Sequence, residues 1–452
     1  MSHPNRFHPR IRGGGDRRVS RVPARSSPGR RSRFLVLLAA ALAVAAAACE
    51  TSPTFQDAAA VERITELPRA LSAEEVKVLW AANAFGFDLL RELQDDDPAS
   101  SHCISPLSAS MVLGMTMNGA ARETLEAMRT TLRFEGLELD EINASYRQLL
   151  DLLDGLDPTV SFQIANSMWY LEQLTPDPDF AATLRDAFDA EMRGADFDDP
   201  TLPSQLDRWV REKTEGRIDG IAPPEIDRFT IAFLLNAMHF RGAWRGSFDR
   251  SKTRSGDFHL ENGTTARVRY MVREGGFRAF SGSDYTAVEI PYGGDAFVMT
   301  VVLPPEGGSV NELVASLDDA RWAEIVARVD DSYPGGGPPV LHLPRFTLEW
   351  GGSLRESLGR LGMGVAFTQF LAQFPNLFTV APNPPYLHDV TQKTFVRVDE
   401  EGTEAAAATA AEARAVSGPS FIYVDRPFVF AIRERLSGTI LFLGVMREAP
   451  VG

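Results

Sequence analysis

The segment Val398–Pro419 is VDEEGTEAAAATAAEARAVSGP, and it differs in composition from the rest of the chain. Helix propensity alone predicts a helix over Glu404–Ala415, because alanine is the best helix former. The plain interpretation of the segment is therefore a surface helix or a low-complexity linker. At a period of two, however, every residue on one face is small and uncharged: Thr403, Ala405, Ala407, Thr409, Ala411, Ala413 and Ala415. The charges of Glu404, Glu412 and Arg414 all fall on the other face. The pattern predicts a segment that can become a strand, with one face buried in a narrow slot and its charges in solvent.

The whole chain has an ordinary globular composition, with 452 residues of which 44% are hydrophobic and 24% charged. That length is enough for one large domain or two modest ones. The formal charge is −15, but the first 48 residues carry +9 because ten arginines outweigh one aspartate, so the remainder carries −24. Such an acidic body repels nucleic acid and anionic membrane surfaces, and we therefore expect no nucleic-acid partner.

The chain begins with an export signal. An arginine-rich stretch precedes a 15-residue apolar run, Phe34–Ala48, which is too short to span a bilayer and suits the hydrophobic part of a signal peptide. The run ends at Ala46-Ala47-Ala48-Cys49, which resembles a bacterial lipoprotein cleavage box; plain secretion after an Ala-x-Ala site is the alternative. We predict a signal peptide over 1–48, a lipid on Cys49 as the only membrane attachment, and a flexible tether over 49–72. The protein would then lie outside the cell or in the cell envelope.

From residue 73 onward the hydrophobic pattern becomes periodic. An opening helix is predicted to turn one apolar face to the core, consisting of Trp80, Ala84, Phe87, Leu90 and Leu93. A later helix is predicted over Val310–Val329. Apolar segments bounded by breakers predict strands, among them Phe162–Asn166, Ile231–Phe240, Ala287–Tyr292, Phe297–Leu303, Val340–Phe346, Phe395–Val398, Phe421–Val424, Phe428–Ile432 and Ile440–Met446. Helices come early and strands dominate late, which indicates one α+β domain over about 73–448.

Motifs for catalysis are absent from the sequence. It contains no G-x-S-x-G elbow, H-E-x-x-H helix, Walker loop or dinucleotide fingerprint, so we predict no enzyme activity, metal or cofactor. The seven histidines are scattered, and we expect His239, His342 and His388 to be hydrogen-bonded within strands or loops. Of the two cysteines, Cys103 is expected to be a buried small hydrophobe rather than a nucleophile.

An ordered set of short motifs resembles the serpin family from about Ala82 to Arg447. The motifs are Asn83-Ala84-Phe85, Ser105-Pro106-Leu107-Ser108, Asn118-Gly119-Ala120, Thr124–Met128, Ile164-Ala165-Asn166-Ser167, Trp209-Val210 with Thr214–Ile218, Leu235–Trp244, Leu343–Phe346 and Asp425–Phe428. The resemblance implies an α+β serpin fold with three β-sheets, about eight or nine helices and an exposed reactive loop over 400–420.

The resemblance also implies an irreversible, suicide-type inhibitor. A serine protease would cleave the loop and become a covalent acyl-enzyme, while the freed loop inserts as a new strand in the largest sheet. The partner is then the target protease, and the inhibitor itself is a monomer. A non-inhibitory serpin-fold binding or chaperone protein is the alternative.

By the same resemblance the loop hinge comprises Glu400, Glu401, Gly402, Thr403, Glu404, Ala405, Ala406, Ala407, Ala408 and Thr409. Counting fifteen residues from Gly402 puts the reactive bond at Val416–Ser417, which implies an elastase-like target. Cleavage after Arg414, by a trypsin-like target, is the alternative. The residues implied to govern opening of the sheet are a polar cluster of Ser105, Ser108, Asn166, Asn236 and Gln392, with glutamine at 392 where many serpins have histidine. Trp244 is implied to lie where the loop first enters the sheet.

Overall fold

The computed structural model describes residues 61–222, 230–332, 338–381, 384–403 and 420–450, which all belong to one compact unit. In these ranges there are nine α-helices: α1 (Ala73–Asp96), α2 (Pro106–Met117), α3 (Arg122–Thr131), α4 (Leu139–Leu153), α5 (Pro178–Phe188), α6 (Leu202–Lys213), α7 (Val310–Ser316), α8 (Asp319–Asp330) and α9 (Arg355–Leu358). The strands are β1 (His102–Ile104), β2 (Val160–Leu171), β3 (Thr175–Pro176), β4 (Glu191–Ala195), β5 (Ala232–Ala243), β6 (Arg254–His259), β7 (Thr265–Glu274), β8 (Arg278–Ser281), β9 (Thr286–Pro291), β10 (Phe297–Leu303), β11 (Val340–Pro344), β12 (Phe346–Ser353), β13 (Phe378–Val380), β14 (Val390–Val398), β15 (Gly402–Thr403), β16 (Phe421–Tyr423), β17 (Phe428–Glu434) and β18 (Ile440–Met446).

The strands form three large sheets and one two-stranded ribbon, and the α+β prediction is confirmed. Sheet A has the order β12-β14-β15-β5-β2-β4, sheet B the order β1-β18-β17-β10-β9-β8, and sheet C the order β16-β11-β7-β6. Strands β10, β17 and β18 are buried along their whole length, which explains their continuous apolar sequences.

Helix α2 lies wholly in the interior and fixes two polar residues beneath sheet A. Ser105 is its N-cap, since its side chain accepts a hydrogen bond from the backbone N–H of Ser108, and Pro106 occupies the first turn. All twelve residues of the helix are buried. The Ser-Pro-x-Ser sequence is therefore a helix start whose two serines face the core.

Two helix predictions were wrong in part, each for a local reason. In α1, Ala84, Phe87, Leu90 and Leu93 are buried as predicted, but Trp80 is 59% exposed, because Val78 and Leu79 occupy the buried face at that turn. The predicted helix Val310–Val329 is two helices, α7 and α8. Asp318 caps the second of them by accepting a hydrogen bond from Arg321 N–H, so the chain stops and restarts there.

The tether predicted over 49–72 is wrong for its described part, residues 61–72, which contacts the domain. The backbone N–H of Ile64 donates to Gly294 O at 2.7 Å, and its side chain packs against the core. Farther on, Arg69 forms an ion pair with Glu75 at 2.6 Å. Composition cannot detect this, because apolar and polar residues alternate without a clear period and Ile64 reaches its partners only once the fold is assembled.

Cys103 is fully buried, as predicted, and burial raises the pKa of its thiol to about 12. A thiol held protonated in this way is not a nucleophile.

Candidate functional site

Sheet A is closed along most of its length and open at one end. Strands β5 and β14 pair in parallel over six residue pairs, from Leu234 with Val390 to His239 with Phe395. We call this set of pairs the seam. Beyond the seam the two strands separate, and β15 lies between them, antiparallel to both. The first two residues of a further strand therefore already occupy the mouth of the sheet.

Gly402 occupies a position that has no room for a side chain. A Cβ atom there would lie 2.1 Å from Gly242 O and 2.8 Å from Ala243 Cα. The residue pairs with Ala243 of β5, and its carbonyl accepts a hydrogen bond from Asp399 N–H at 3.0 Å. The predicted need for glycine at this hinge thus has a direct cause in close backbone approach.

Thr403 is fully buried and is the first side chain of β15 to enter the interior. Its hydroxyl is 2.7 Å from the Tyr292 hydroxyl. The Tyr292 ring in turn stacks on Trp244 with centroids 4.4 Å apart and planes 11° apart, and Trp244 Nε1–H donates to Asp399 O at 2.9 Å. Burial raises the pKa of Tyr292, so its hydroxyl stays protonated and can donate to Thr403. We call Trp244, Tyr292 and Thr403 the entry cluster.

Glu400 and Glu401 fasten the chain just before β15. The carboxylate of Glu400 accepts a hydrogen bond from Thr253 Oγ1 at 2.6 Å and lies 3.5 Å from Arg345 Nε. The carboxylate of Glu401 pairs with Arg250 at 2.5 Å. Their backbone carbonyls accept from Phe248 N–H and Trp244 N–H respectively. The two acidic residues therefore hold the start of the loop against the body.

A polar cluster lies beneath the seam, and it contains the five residues predicted to form it: Ser105, Ser108, Asn166, Asn236 and Gln392. Gln392 Nε2 donates to Asn236 Oδ1 at 2.7 Å, across the line along which β14 and β5 would part.

Helix α2 and strand β2 complete this cluster. The Gln392 side chain accepts from Ser105 N–H at 3.0 Å and donates to Ser105 O at 3.2 Å. Asn236 Nδ2 donates to Asn166 Oδ1 at 2.7 Å and to Ser108 Oγ at 2.5 Å. Each such buried bond contributes about 1 kcal/mol, and a lost partner costs more because the remaining group stays desolvated.

Trp244 does not belong to the polar cluster. It follows Asn236 by eight residues along and just past β5, a separation of about 26 Å at the rise of a strand. Its place is the entry cluster, at the open end of the sheet. Sequence reasoning missed Tyr292, whose only signal was an aromatic residue placed before the Gly293-Gly294 turn.

His239 stands at the last pair of the seam, and the prediction that it is hydrogen-bonded was wrong. Its side chain is 2% exposed, yet neither ring nitrogen has a hydrogen-bond partner among the described residues. Burial lowers the pKa of His239 to about 4; Glu215 opposes the shift, while Arg217 and Arg241 add to it. The ring is therefore neutral at pH 7 in the folded protein.

Several predicted residues lie outside the described part of the chain. They are the hinge residues Glu404, Ala405, Ala406, Ala407, Ala408 and Thr409, the reactive-bond residues Val416 and Ser417 with the alternative Arg414, and the lipidation residue Cys49. In the part that the structure describes, no group of three or more His, Cys, Asp or Glu side chains is arranged to hold a metal ion. No helix in the same ranges has the length and apolar character to cross a bilayer.

Comparisons with known proteins agree with this architecture. The family model Serpin (serine protease inhibitor) matches residues 80–448. Iris of Ixodes ricinus is 31% identical over 380 residues, covering 80% of this chain and 97% of that protein. Human antithrombin-III is 28% identical over 394 residues, covering 84% of this chain and 83% of that protein. The native-state structure of the thermophilic serpin tengpin superimposes with a TM-score of 0.75 at 26% identity, covering 86% of this chain and 97% of that one.

We predict that replacing His239 with leucine makes the fold less sensitive to acid. An ordinary histidine takes up a proton below its pKa of 6.5, as His239 does in the unfolded chain, whereas the folded ring stays neutral down to about pH 4. Folding stability is thus fully present above pH 6.5 and falls as the pH drops toward 4. Between pH 7 and pH 5 the variant should lose about 2 kcal/mol less than the wild type.

The midpoints of urea unfolding at the two pH values measure this difference. His259→Leu is the matched control, because the exposed His259 side chain has no such burial, and it should keep the acid loss of the wild type. An equal acid loss in His239→Leu and the wild type would contradict the assignment.

Proposed function

Because the chain belongs to the serpin family, we propose that it is an irreversible inhibitor of an elastase-like serine protease, cleaved at the bond between Val416 and Ser417. The observation that carries this proposal is β15, whose two residues are already paired between β5 and β14. A strand that has begun to enter a sheet can lengthen without a new nucleation step. The rest of the loop has only small, uncharged residues on the face that a longer strand would bury.

The β15 register, continued along β5, assigns a partner to each residue that follows. Thr403 pairs with Gly242, so an extended antiparallel strand would bring Thr409 opposite Asn236 and Ala413 opposite Ala232. On the other side, where Thr403 pairs with Val398, Thr409 would come opposite Gln392. The twelve residues 402–413 would thus match the full length of β5.

This register suits the side chains that would turn inward. Alternation places Thr403, Ala405, Ala407, Thr409, Ala411 and Ala413 on the buried side. Both threonines would lie beside polar side chains, Thr403 next to Tyr292 and Thr409 between Asn236 and Gln392. Thr409 could thereby replace the hydrogen bond that Gln392 and Asn236 lose when the seam opens, and the alanines need little room.

The chemistry belongs to the protease. Its serine hydroxyl attacks the carbonyl carbon of Val416, the peptide bond to Ser417 breaks, and the proton passes to the new amine of Ser417 through the protease's own base. An ester then joins the protease to Val416. Insertion of residues 404–413 would carry that ester about 33 Å along sheet A. Water that later reaches the ester would find the protease moved away from the place where it first docked on the inhibitor.

Valine before the cleaved bond sets the proposed specificity. A short β-branched side chain fits a small apolar pocket, whereas Arg414 would require an acidic one. The family's count of fifteen residues from Gly402 to the residue before the cut favours Val416 over Arg414.

We predict that elastase forms a complex with this protein that survives SDS, with release of a fragment beginning at Ser417. Val416→Asp should lower the rate of complex formation at least 100-fold, because a charge cannot enter an apolar pocket without losing its hydration. Arg414→Ala is the matched control and should react like the wild type. Gel electrophoresis and N-terminal sequencing of the released fragment measure both outcomes.

Three results would contradict the proposal. Cleavage without a stable complex by every protease tried would support the alternative of a non-inhibitory binding protein. A fragment beginning at Ala415 would move the reactive bond to Arg414. A stable complex with trypsin but none with elastase would exclude the proposed specificity.

We also propose that the protein is exported and held at the membrane by a lipid on Cys49. The apolar run Phe34–Ala48 and the small residues before Cys49 support this. Cys49→Ser should move the protein from the membrane fraction to the soluble fraction, whereas the control Cys103→Ala should stay with the membrane. Wild-type protein found wholly in the medium would contradict lipid attachment and leave plain secretion.

A further inference from the structure

Strand β16, which begins four residues after Ser417, presents two large aromatic side chains to solvent. Phe421 is 55% exposed and Tyr423 44% exposed, while Ile422 between them packs against the core. The strand pairs with β11 on one side and is the edge of sheet C in the part of the chain that is described. Neither ring is needed to fill the core, so their exposure calls for another explanation.

The two rings are held in a fixed arrangement by a buried histidine. The Phe421 and Tyr423 rings are stacked with centroids 6.2 Å apart, and His342 stacks on Tyr423 at 4.2 Å. Arg254 Nη2 lies 3.0 Å from Nε2 of His342 and fixes the imidazole from the side. Burial and the charge of Arg254 lower the pKa of His342 to about 4, so the ring beneath is neutral at pH 7. A surface ordered in advance loses little entropy when a partner binds.

A groove of about 440 Å3 runs beside these rings. Its walls include Phe421, Tyr423 and Glu306, and Glu306 has no ion-pair partner among the described residues. Asp425 and Arg426, also on the wall, pair with each other at 2.8 Å, so the charge of Arg426 is already matched. Aromatic faces next to an unpaired carboxylate suit an arginine side chain, whose guanidinium can stack on a ring and pair with the carboxylate.

The distance to the reactive bond identifies the partner. Phe421 is the fourth residue after Ser417, so the Cα atoms of the two are at most about 14 Å apart. A protease–inhibitor interface covers about 800 Å2 on each partner, equivalent to a disc of about 16 Å radius. A protease engaged at Val416–Ser417 therefore reaches the β16 edge.

We propose that Phe421 and Tyr423, with Glu306, form a second docking surface for the target protease, on the side of the reactive bond that follows the cut, and that an arginine of the protease binds there. This rests on the proposed inhibitory function. The reactive bond selects the pocket residue, and the β16 edge adds affinity for the first, non-covalent encounter. Because the residues of β16 take no part in the seam or the entry cluster, the edge acts before strand insertion.

The double variant Phe421→Ala/Tyr423→Ala tests the proposal through the second-order rate constant for inhibition of elastase. We expect a fall of about tenfold, since exposed aromatic anchors are frequent binding hot spots. The number of inhibitor molecules consumed per protease inhibited should stay unchanged, because insertion is untouched. Trp80→Ala on α1 removes a side chain of similar exposure, 59%, and should leave the rate constant unchanged.

Each outcome separates this proposal from the function on which it rests. Absence of an SDS-stable complex in the wild type would defeat the inhibitory function itself. A normal complex together with an unchanged rate constant in the double variant would overturn the docking surface, as would an equal loss in Trp80→Ala. Should the double variant fold poorly, Phe421→Ala and Glu306→Gln each test the surface singly, with an expected loss of about threefold.

Discussion

The seam between β5 and β14 is the contact on which the rest of this structure depends. Six residue pairs hold sheet A closed from Leu234 to His239, while β15 keeps the mouth of the sheet open just beyond them. The backbone groups of β5 and β14 therefore pair in two ways. Along the seam the two strands pair with each other, and beyond it they pair with the two residues of β15. A strand inserted along the full line would pair on both sides, with two ladders in place of one. The fold thus retains a more fully paired arrangement that it has not adopted.

Two polar sites bracket that line, and under the proposed insertion they would determine the end from which the sheet opens. At the mouth, Thr403 is held by Tyr292, which stacks on Trp244, so the first inward residue is secured. Beneath the seam, Gln392 bonds to Asn236 across the gap, and this bond must break before a strand can pass. Entry is therefore favoured at the end where the strands have already parted. His239 lies between the two sites, at the last residue pair of the seam. Its ring is buried and has no hydrogen-bond partner among the described residues, so protonation in acid would destabilise sheet A where the two strands separate.

The sequence predicted the plan of the site better than its details. The period-two pattern put Thr403 on the face that the structure buries, and the motifs named Ser105, Ser108, Asn166, Asn236 and Gln392, whose side chains the structure brings together. Short motifs of this kind specify both a local element and its packing partner. Contacts between distant segments were not predictable. The stacking of Tyr292 on Trp244 and the docking of Ile64 on Gly294 arise only once sheets A and B are assembled. The prediction that Trp80 is buried failed for a related reason, because the helical spacing of apolar residues does not show where the buried face of α1 ends.

We propose that sheet A accepts the loop as a further strand once the loop is cut. The unfolding temperature of the intact protein, compared with that of protein nicked once within residues 414–419, tests this most directly. Ten further residues pairing on both sides would add roughly 10 to 20 kcal/mol of hydrogen bonding and packing. We therefore expect the unfolding temperature to rise by about 20 °C or more. An unfolding temperature that stays the same or falls after cleavage would contradict it, because a cut loop that remains outside the sheet adds no ladder.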